Sequence, residues 1–461
     1  MEKAVLPRGA IGEWMPSTLL DPLRIGSVTA KNRFYRAPVL EVAPQNEGAA
    51  RILRRELEPS AAAGCGLVFQ GASLVTPTGG RTAPGLLRIH DRDFVLSLKP
   101  AVDAVHEHGA LIFCQMGHGA LQTMETWHKE YRDTHPDVET LAVSKPPWWF
   151  RLLTRTPVLK IPRLRVFTTE ELHGLAKAFG RSAGYLMEAG YDGVHLAGAN
   201  ASIFQQLWSP VFNRRTDEFG GRTLQERGEF LRVVVREIRR HTRPDFPIVA
   251  KVPAETHAPF FVRKALTIRD GVEIARICEE AGLDAVVPVT VGVTRDQSVA
   301  RGNFPEIAWT DPRWQQGYER VLGSRRRVRL IRTANRAAAR LLPFEPVWNE
   351  GFFSEVKKAV SIPVLAEGGI RTRAEIDRLL REGKCDMVGM ARPFYAEPHL
   401  AARILHDAKA EALCANCNNC TIPQITGATG VCRTPAILQK RGELQRAGAY
   451  DLTASGSGSR E

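Results

Sequence analysis

No run of eighteen or more apolar residues occurs in the 461-residue chain, which excludes a helical membrane span. The N-terminus, MEKAVLPRGAIGEW, lacks the apolar core of a secretory signal, so a cytoplasmic location is the expectation. Cysteine is scarce: of eight, Cys65, Cys114, Cys278 and Cys385 are scattered through apolar patterns, where a free thiol packs as a small hydrophobe. No disulfide framework is predicted for them. Acid is also short, 50 Asp and Glu against 63 Lys and Arg, leaving a formal charge of +13. That excess is concentrated in two stretches. One holds Arg151, Arg155, Lys160, Arg163 and Arg165 beside Trp148, Trp149 and Phe150; the other, residues 324–340, holds seven arginines and no acid.

What is present is a 44% hydrophobic chain, enough for a large core, with a repeating local pattern. Short apolar runs at 32–38, 66–73, 110–116, 193–198, 247–253, 285–292, 363–369 and 386–392 read as strands. Amphipathic patterns at 169–189, 223–241, 268–281 and 372–382 read as helices between them. Eight strands alternating with helices predict one α/β fold, a single (β/α)8 TIM barrel occupying residues 1–410. Residues 117–168 and 293–349 exceed ordinary βα loops and are expected as insertions over the barrel's C-terminal face. A four-cysteine segment follows at 411–435, and the tail 436–461, ending TASGSGSRE, is expected to lack order.

A barrel assembles its site from strand C-termini, so those ends are read together. EGGI at 367–370 and GMARP at 389–393 close the last two strands. Glycines such as Gly368 and Gly369 let backbone N–H groups approach a phosphate, and Arg392, after Ala391, supplies its counter-charge. Lys251 ends an apolar strand, where a cation requires an anion or an electron-rich ring. Gln115, after ALIFC, offers both donor and acceptor to the edge of a heterocycle.

Four blocks in fixed order, LLDPLRIGSVTAKNRFYRAPV, SPVFNRRTDEFGG, VLAEGGI and DMVGMARPF, make residues 15–435 resemble the old yellow enzyme family of FMN-dependent NAD(P)H:flavin oxidoreductases. The closer likeness is to the barrel domain of its 2,4-dienoyl-CoA reductase and trimethylamine dehydrogenase branch. The resemblance implies FMN, with Pro38, Val39 and Ala72 along the flavin, Gln115 on its pyrimidine edge and Lys251 near its N1 and O2. Gly369 and Arg392 fall at its phosphate. It further implies hydride taken from NAD(P)H and delivered to an activated C=C bond of a small molecule, such as an enone or enoyl substrate.

The family positions two hydrogen-bond donors on the substrate carbonyl, with a tyrosine often serving as acid. Its pattern HGANGY reads AGANAS here, so Asn200 remains while Ala197 replaces the first donor and Ser202 the phenol. Alanine donates no hydrogen bond, and a serine hydroxyl is shorter and far less acidic. Polarisation of the carbonyl is therefore expected to be weaker or to come from elsewhere. His118, in QMGHGA, is one candidate; His195, two residues before Ala197 on the same strand face, is read as a buried structural histidine. Glu255 is read as a solvated loop acid.

Cys414, Cys417, Cys420 and Cys432, in LCANCNNCTIPQITGATGVC, have the spacing of a four-thiolate metal site. Spacing does not separate zinc from iron–sulfur; the resemblance implies [4Fe–4S]. Members with a cluster usually continue into a nucleotide-binding domain, whereas 29 residues follow Cys432 here. A motif that no longer binds metal therefore stays an alternative. An amine or C–H dehydrogenase passing electrons to such a cluster, and a flavin-binding protein without ene reduction, are the competing functions. Residues 324–340 read as a basic amphipathic helix with Arg325, Arg329, Arg332, Arg336 and Arg340 on one stripe, for which the alternatives are an anionic membrane surface and a solvated face packed on the barrel. No nucleic-acid partner is expected: a dihydrouridine synthase would suit the basic charge, but its active-site cysteine loop has no counterpart near Asn200.

Overall fold

A computed structural model describes residues 18–154, 160–161, 163–258, 261–294 and 296–451. Arg155 of the first basic stretch, residues 15–17 and residues 452–461 lie outside them. Eight strands form the main sheet: β1 (Phe34–Arg36), β2 (Leu67–Leu74), β3 (Leu111–Gly117), β4 (Gly193–Leu196), β5 (Ile248–His257), β6 (Ala285–Gly292), β7 (Leu365–Ala366) and β8 (Met387–Met390). Every pair is parallel, in the order β6-β5-β4-β3-β2-β1-β8-β7. A parallel bridge from Val286 to Val364 joins the two edges and closes the barrel. The TIM barrel expected from the alternation is the fold.

The strands are near-continuous apolar runs because a barrel strand is covered on both faces; all eight residues of β6 are buried. Tyr35, Phe69, Phe113, Val249, Val287, Leu365 and Met387 fill the interior. Leu23, Ile25 and Ala30, from an antiparallel pair before β1, join that cluster. Ser27 in its turn donates to Asp245 O ahead of β5, so the pair plugs the end from which the strands start.

The outer layer is α1 (Gly48–Ala62), α2 (Lys99–His106), α3 (Thr169–Glu188), α4 (Glu229–His241), α5 (Ile268–Glu280), α6 (Glu350–Lys357), α7 (Arg373–Arg381) and α8 (Leu400–His406). Capping boxes Thr168/Glu171, Thr267/Asp270 and Thr372/Glu375 start α3, α5 and α7. The pattern read as one helix over 223–241 divides at Gly228, which packs against Trp208 and Ile277. Residues 435–446, all but the first in the tail expected to lack order, form a helix. Hydropathy misses it because the helix buries no side chain and is tied down by polar contacts: Arg441 donates to Ala396 O at 3.2 Å, and Tyr450 beyond it to Glu397 at 2.9 Å.

The described residues of both long connections fold. Residues between β3 and α3 form short helices, including Trp148–Leu153, and a small parallel strand pair. Those between β6 and α6 form a short 3-10 turn and three α-helices, the last being the basic one, Arg325–Leu341, capped by Ser324.

Candidate active site

At the C-terminal end of the barrel lies a cavity of about 290 Å³. Pro38 and Val39 reach it just beyond β1, Ala72 from β2, Gln115 from β3 and His118 just after it. Asn200 and Ser202 enter from the loop after β4, Lys251 from β5, Gly368 and Gly369 from beyond β7, and Ala391 and Arg392 from beyond β8. The structure thus brings together every residue assigned by sequence to flavin and substrate.

The bend that carries Pro38 and Val39 is fixed by a buried ion pair, Arg36 to Glu41 at 3.0 Å, with Glu41 also accepting the Gly71 N–H at 2.9 Å. Gly71 is required there, since a Cβ would stand 1.9 Å from Val39 O. In the cavity lining Lys251 pairs with Glu367 at 2.6 Å, and Tyr35 donates to the other carboxylate oxygen at 3.2 Å. The anion that Lys251 required is therefore a protein side chain, one the sequence reading passed over. Gln115 donates through its amide nitrogen to His195 Nδ1 at 3.1 Å, which leaves its carbonyl oxygen for a ligand.

The end formed by β7 and β8 is cationic. Arg392 donates to Asn418 Oδ1 at 2.5 Å and to Arg301 O at 2.7 Å. A second buried guanidinium, Arg371, directly follows EGGI and donates to Asn416 Oδ1 at 3.0 and 2.5 Å and to Ile370 O at 2.6 Å. Burial lowers its pKa to about 10. Neither arginine has a carboxylate partner among the described residues, an arrangement that costs free energy unless an anion completes it. This is the structural test for a phosphate-bearing cofactor, and the residues fit one. Gly368 and Gly369 adopt φ of +115° and +82°; at Gly369 a Cβ would lie 2.7 Å from Glu345 O and Trp348 Cδ1. Glycine is what lets the 345–349 turn lie over this loop.

On the substrate side, Asn200 is exposed at φ +58°, followed by Ala201 at +65°. Ser202 caps the next short helix, its oxygen accepting Gln205 N–H at 3.4 Å. His118 is buried, and Nδ1 accepts the Ala120 N–H at 3.1 Å, so the proton of the neutral ring belongs on Nε2. Burial, helped by the charge of Arg88, lowers its pKa to about 4. His195 does not line the cavity: it lies inside the barrel against Phe69, its Nε2 without a partner among the described residues, held neutral by burial and by Lys251. Glu255 corrects the reading as a solvated acid. It is buried and accepts from Gln205, Ser209 and Leu266 N at 2.9–3.0 Å, and burial raises its pKa to about 7. Its partners come from distant segments, which a local pattern does not reveal.

Cys414, Cys417, Cys420 and Cys432 line one small cavity next to the cationic end, sharing Arg392 and Tyr395 with the larger one. Burial raises the Cys420 pKa to about 12, and Cys417 Sγ lies 3.0 Å from Thr434 Oγ1. Among the described residues, no group of three or more His, Cys, Asp or Glu side chains is set to hold a metal ion as placed.

The sequence profile of the NADH:flavin oxidoreductase / NADH oxidase family matches residues 18–259, more than half of the chain. The chain belongs to that family. A dihydrouridine synthase profile matches residues 352–428, from α6 through the cationic end to the cysteine segment. Among curated relatives of this family member, 4,4'-dithiodibutanoate disulfide reductase of Rhodococcus erythropolis is 25% identical, over 93% of this chain and 98% of that protein. Cinnamate reductase of Clostridium sporogenes is 26% identical over 84% of this chain and 53% of its own length. The chain spans about half the length of several curated relatives. A solved 2-naphthoyl-CoA reductase shares the fold, with a TM-score of 0.68 at 19% identity over 94% of this chain and 58% of that one.

Proposed function

We propose that this chain binds FMN in the barrel-end cavity and reduces an activated C=C bond, with NAD(P)H as hydride source. The observation that carries the reading is the pair of buried arginines, Arg371 and Arg392, without carboxylate partners at one end of a cavity whose other wall holds Asn200 and His118. FMN, when bound, supplies hydride transfer. The protein's part is positioning. Arg371 and Arg392 would hold the phosphate, Lys251 and Gln115 the pyrimidine edge, and Pro38, Val39 and Ala72 one side of the ring system. Asn200 and the Nε2–H of His118 are the neutral donors available to a substrate carbonyl, and neutral donors polarise it at any pH above the histidine's range. Ser202, tied to its cap and weakly acidic, is a poor proton source, so solvent water supplies the proton to the α-carbon. The cinnamate reductase relative supports an unsaturated carbonyl substrate.

The test is anaerobic. NADH or NADPH should bleach the yellow band of the holoprotein, and an enone or enoyl thioester should restore it. Absence of bleaching by either nucleotide would sink the NAD(P)H-dependent reductase reading; bleaching that no unsaturated carbonyl reverses would leave the flavin and its nucleotide half-reaction and remove the C=C substrate.

A second reading, oxidation of an amine or other C–H donor with electrons leaving through iron–sulfur, is favoured by the four thiols around one cavity beside the flavin site. Iron analysis and electron paramagnetic resonance of anaerobically purified protein decide it, because iron-free protein has no such exit.

A further inference from the structure

We infer that Asn416 and Asn418, two of the four residues between the cysteines of CANCNNC, are positioning residues of the cofactor's phosphate site. The inference rests on the FMN reading above and names a part of that site which lies outside the barrel strands.

Both asparagines are buried, and both adopt left-handed backbone, with φ of +54° and +58°. Asparagine tolerates that conformation better than most residues. In each, the side-chain oxygen faces an arginine: Asn416 Oδ1 accepts from Nε and an Nη of Arg371, and Asn418 Oδ1 accepts from Arg392. The far sides of the two asparagines are held by the insertion after β6. Asn418 Nδ2 donates to Ala300 O at 2.9 Å, and Asn416 O accepts the Asn303 N–H at 2.9 Å. A Cβ on Gly302 would stand 2.0 Å from Asn416 O, so glycine is needed for that contact. The cysteine segment is thus clamped between the insertion and the two guanidinium groups.

The residue type decides what the clamp does. A carboxylate at either position would neutralise the arginine and compete with a phosphate for it; an amide oxygen orients the guanidinium and leaves its charge unspent. Asparagine therefore keeps two buried cations fixed and available. Because the same loop carries Cys414, Cys417 and Cys420, whatever those thiols bind shares its ordering with the phosphate site.

The experiment measures FMN and riboflavin affinity, by fluorescence titration, for the full-length apoprotein and for Asn416→Asp, Asn418→Asp and Asn418→Gly. Riboflavin lacks the phosphate, so the ratio of the two affinities isolates this end of the cavity. Each Asp variant should weaken FMN by about tenfold or more, equivalent to ~1.4 kcal/mol, with riboflavin unchanged. Asn418→Gly keeps the left-handed backbone without the acceptor and should weaken FMN less. An unchanged FMN to riboflavin ratio in both Asp variants overturns the inference, as does equal loss of both ligands, which marks a merely structural role. A wild-type chain that binds neither flavin defeats the FMN reading itself, a distinct outcome.

Discussion

Ala197 lines the cavity and is only partly buried, packed over Gly117, where a Cβ would lie 3.0 Å from the alanine methyl. Ala197→His extends into that cavity and adds the donor that the pattern lacks. It should raise kcat/KM toward an enone by ~10- to 100-fold, somewhat below the ~100- to 1000-fold of one fully preorganised donor on developing negative charge; steady-state kinetics on a series of enones checks this. Conversely, His118→Ala should lower it by a similar factor if its Nε2–H is a working donor. His118 also contributes to the acid sensitivity of the fold. Its folded pKa of about 4 lies below the unfolded value near 6.5, so the unfolded chain takes up the proton first as pH falls. This contribution is full above about pH 6.5 and is lost toward pH 4, an effect on the order of 3 kcal/mol. Chemical denaturation across that window should show a shallower pH slope for His118→Gln than for the wild type; equal slopes would contradict the assignment.

The elements were legible where one physical pattern acts alone. Eight apolar runs bounded by amphipathic helices identify the barrel, because a barrel strand buried on both faces has few other sequences open to it. The split at Gly228 and the helix at 435–446 were not legible, since contacts from remote segments decide them. The candidate site divides in the same way. Gln115, Lys251 and Gly369 stand at strand ends and were found there, whereas Glu367, Arg371, Asn416 and Asn418 gain their meaning from partners over a hundred or only a few tens of residues away. Arg371 carried a signal, as the basic residue directly after EGGI. Strand packing supplies its own prediction at Gly198, where a Cβ would come within 1.8 Å of Lys251 O. Gly198→Ala should force β4 and β5 apart, destabilise the fold by ~1–3 kcal/mol or more and displace Lys251, read as a lower thermal midpoint together with weaker flavin binding.

Over the whole molecule the charge of +13 is less available than its sum suggests. On the basic helix Arg332 and Arg336 pair with Glu306, and Arg325 with Glu319. Arg329 and Arg340 remain on the stripe, near exposed Leu330 and Leu341. With roughly 1 kcal/mol for each free basic group at an anionic surface, vesicle co-sedimentation should be weak and abolished by moderate salt. What unifies the molecule is the convergence of both insertions, the cysteine segment and the barrel ends on one cavity, with its cations at one side and neutral donors at the other. The claim that this cavity is a flavin site is tested most directly by the flavin content of the purified chain, released by denaturation and identified by chromatography. The account predicts FMN, approaching one per chain after saturation and lost on Arg371→Ala/Arg392→Ala double substitution; a chain that retains no FMN, or whose FMN is indifferent to both arginines, would contradict it.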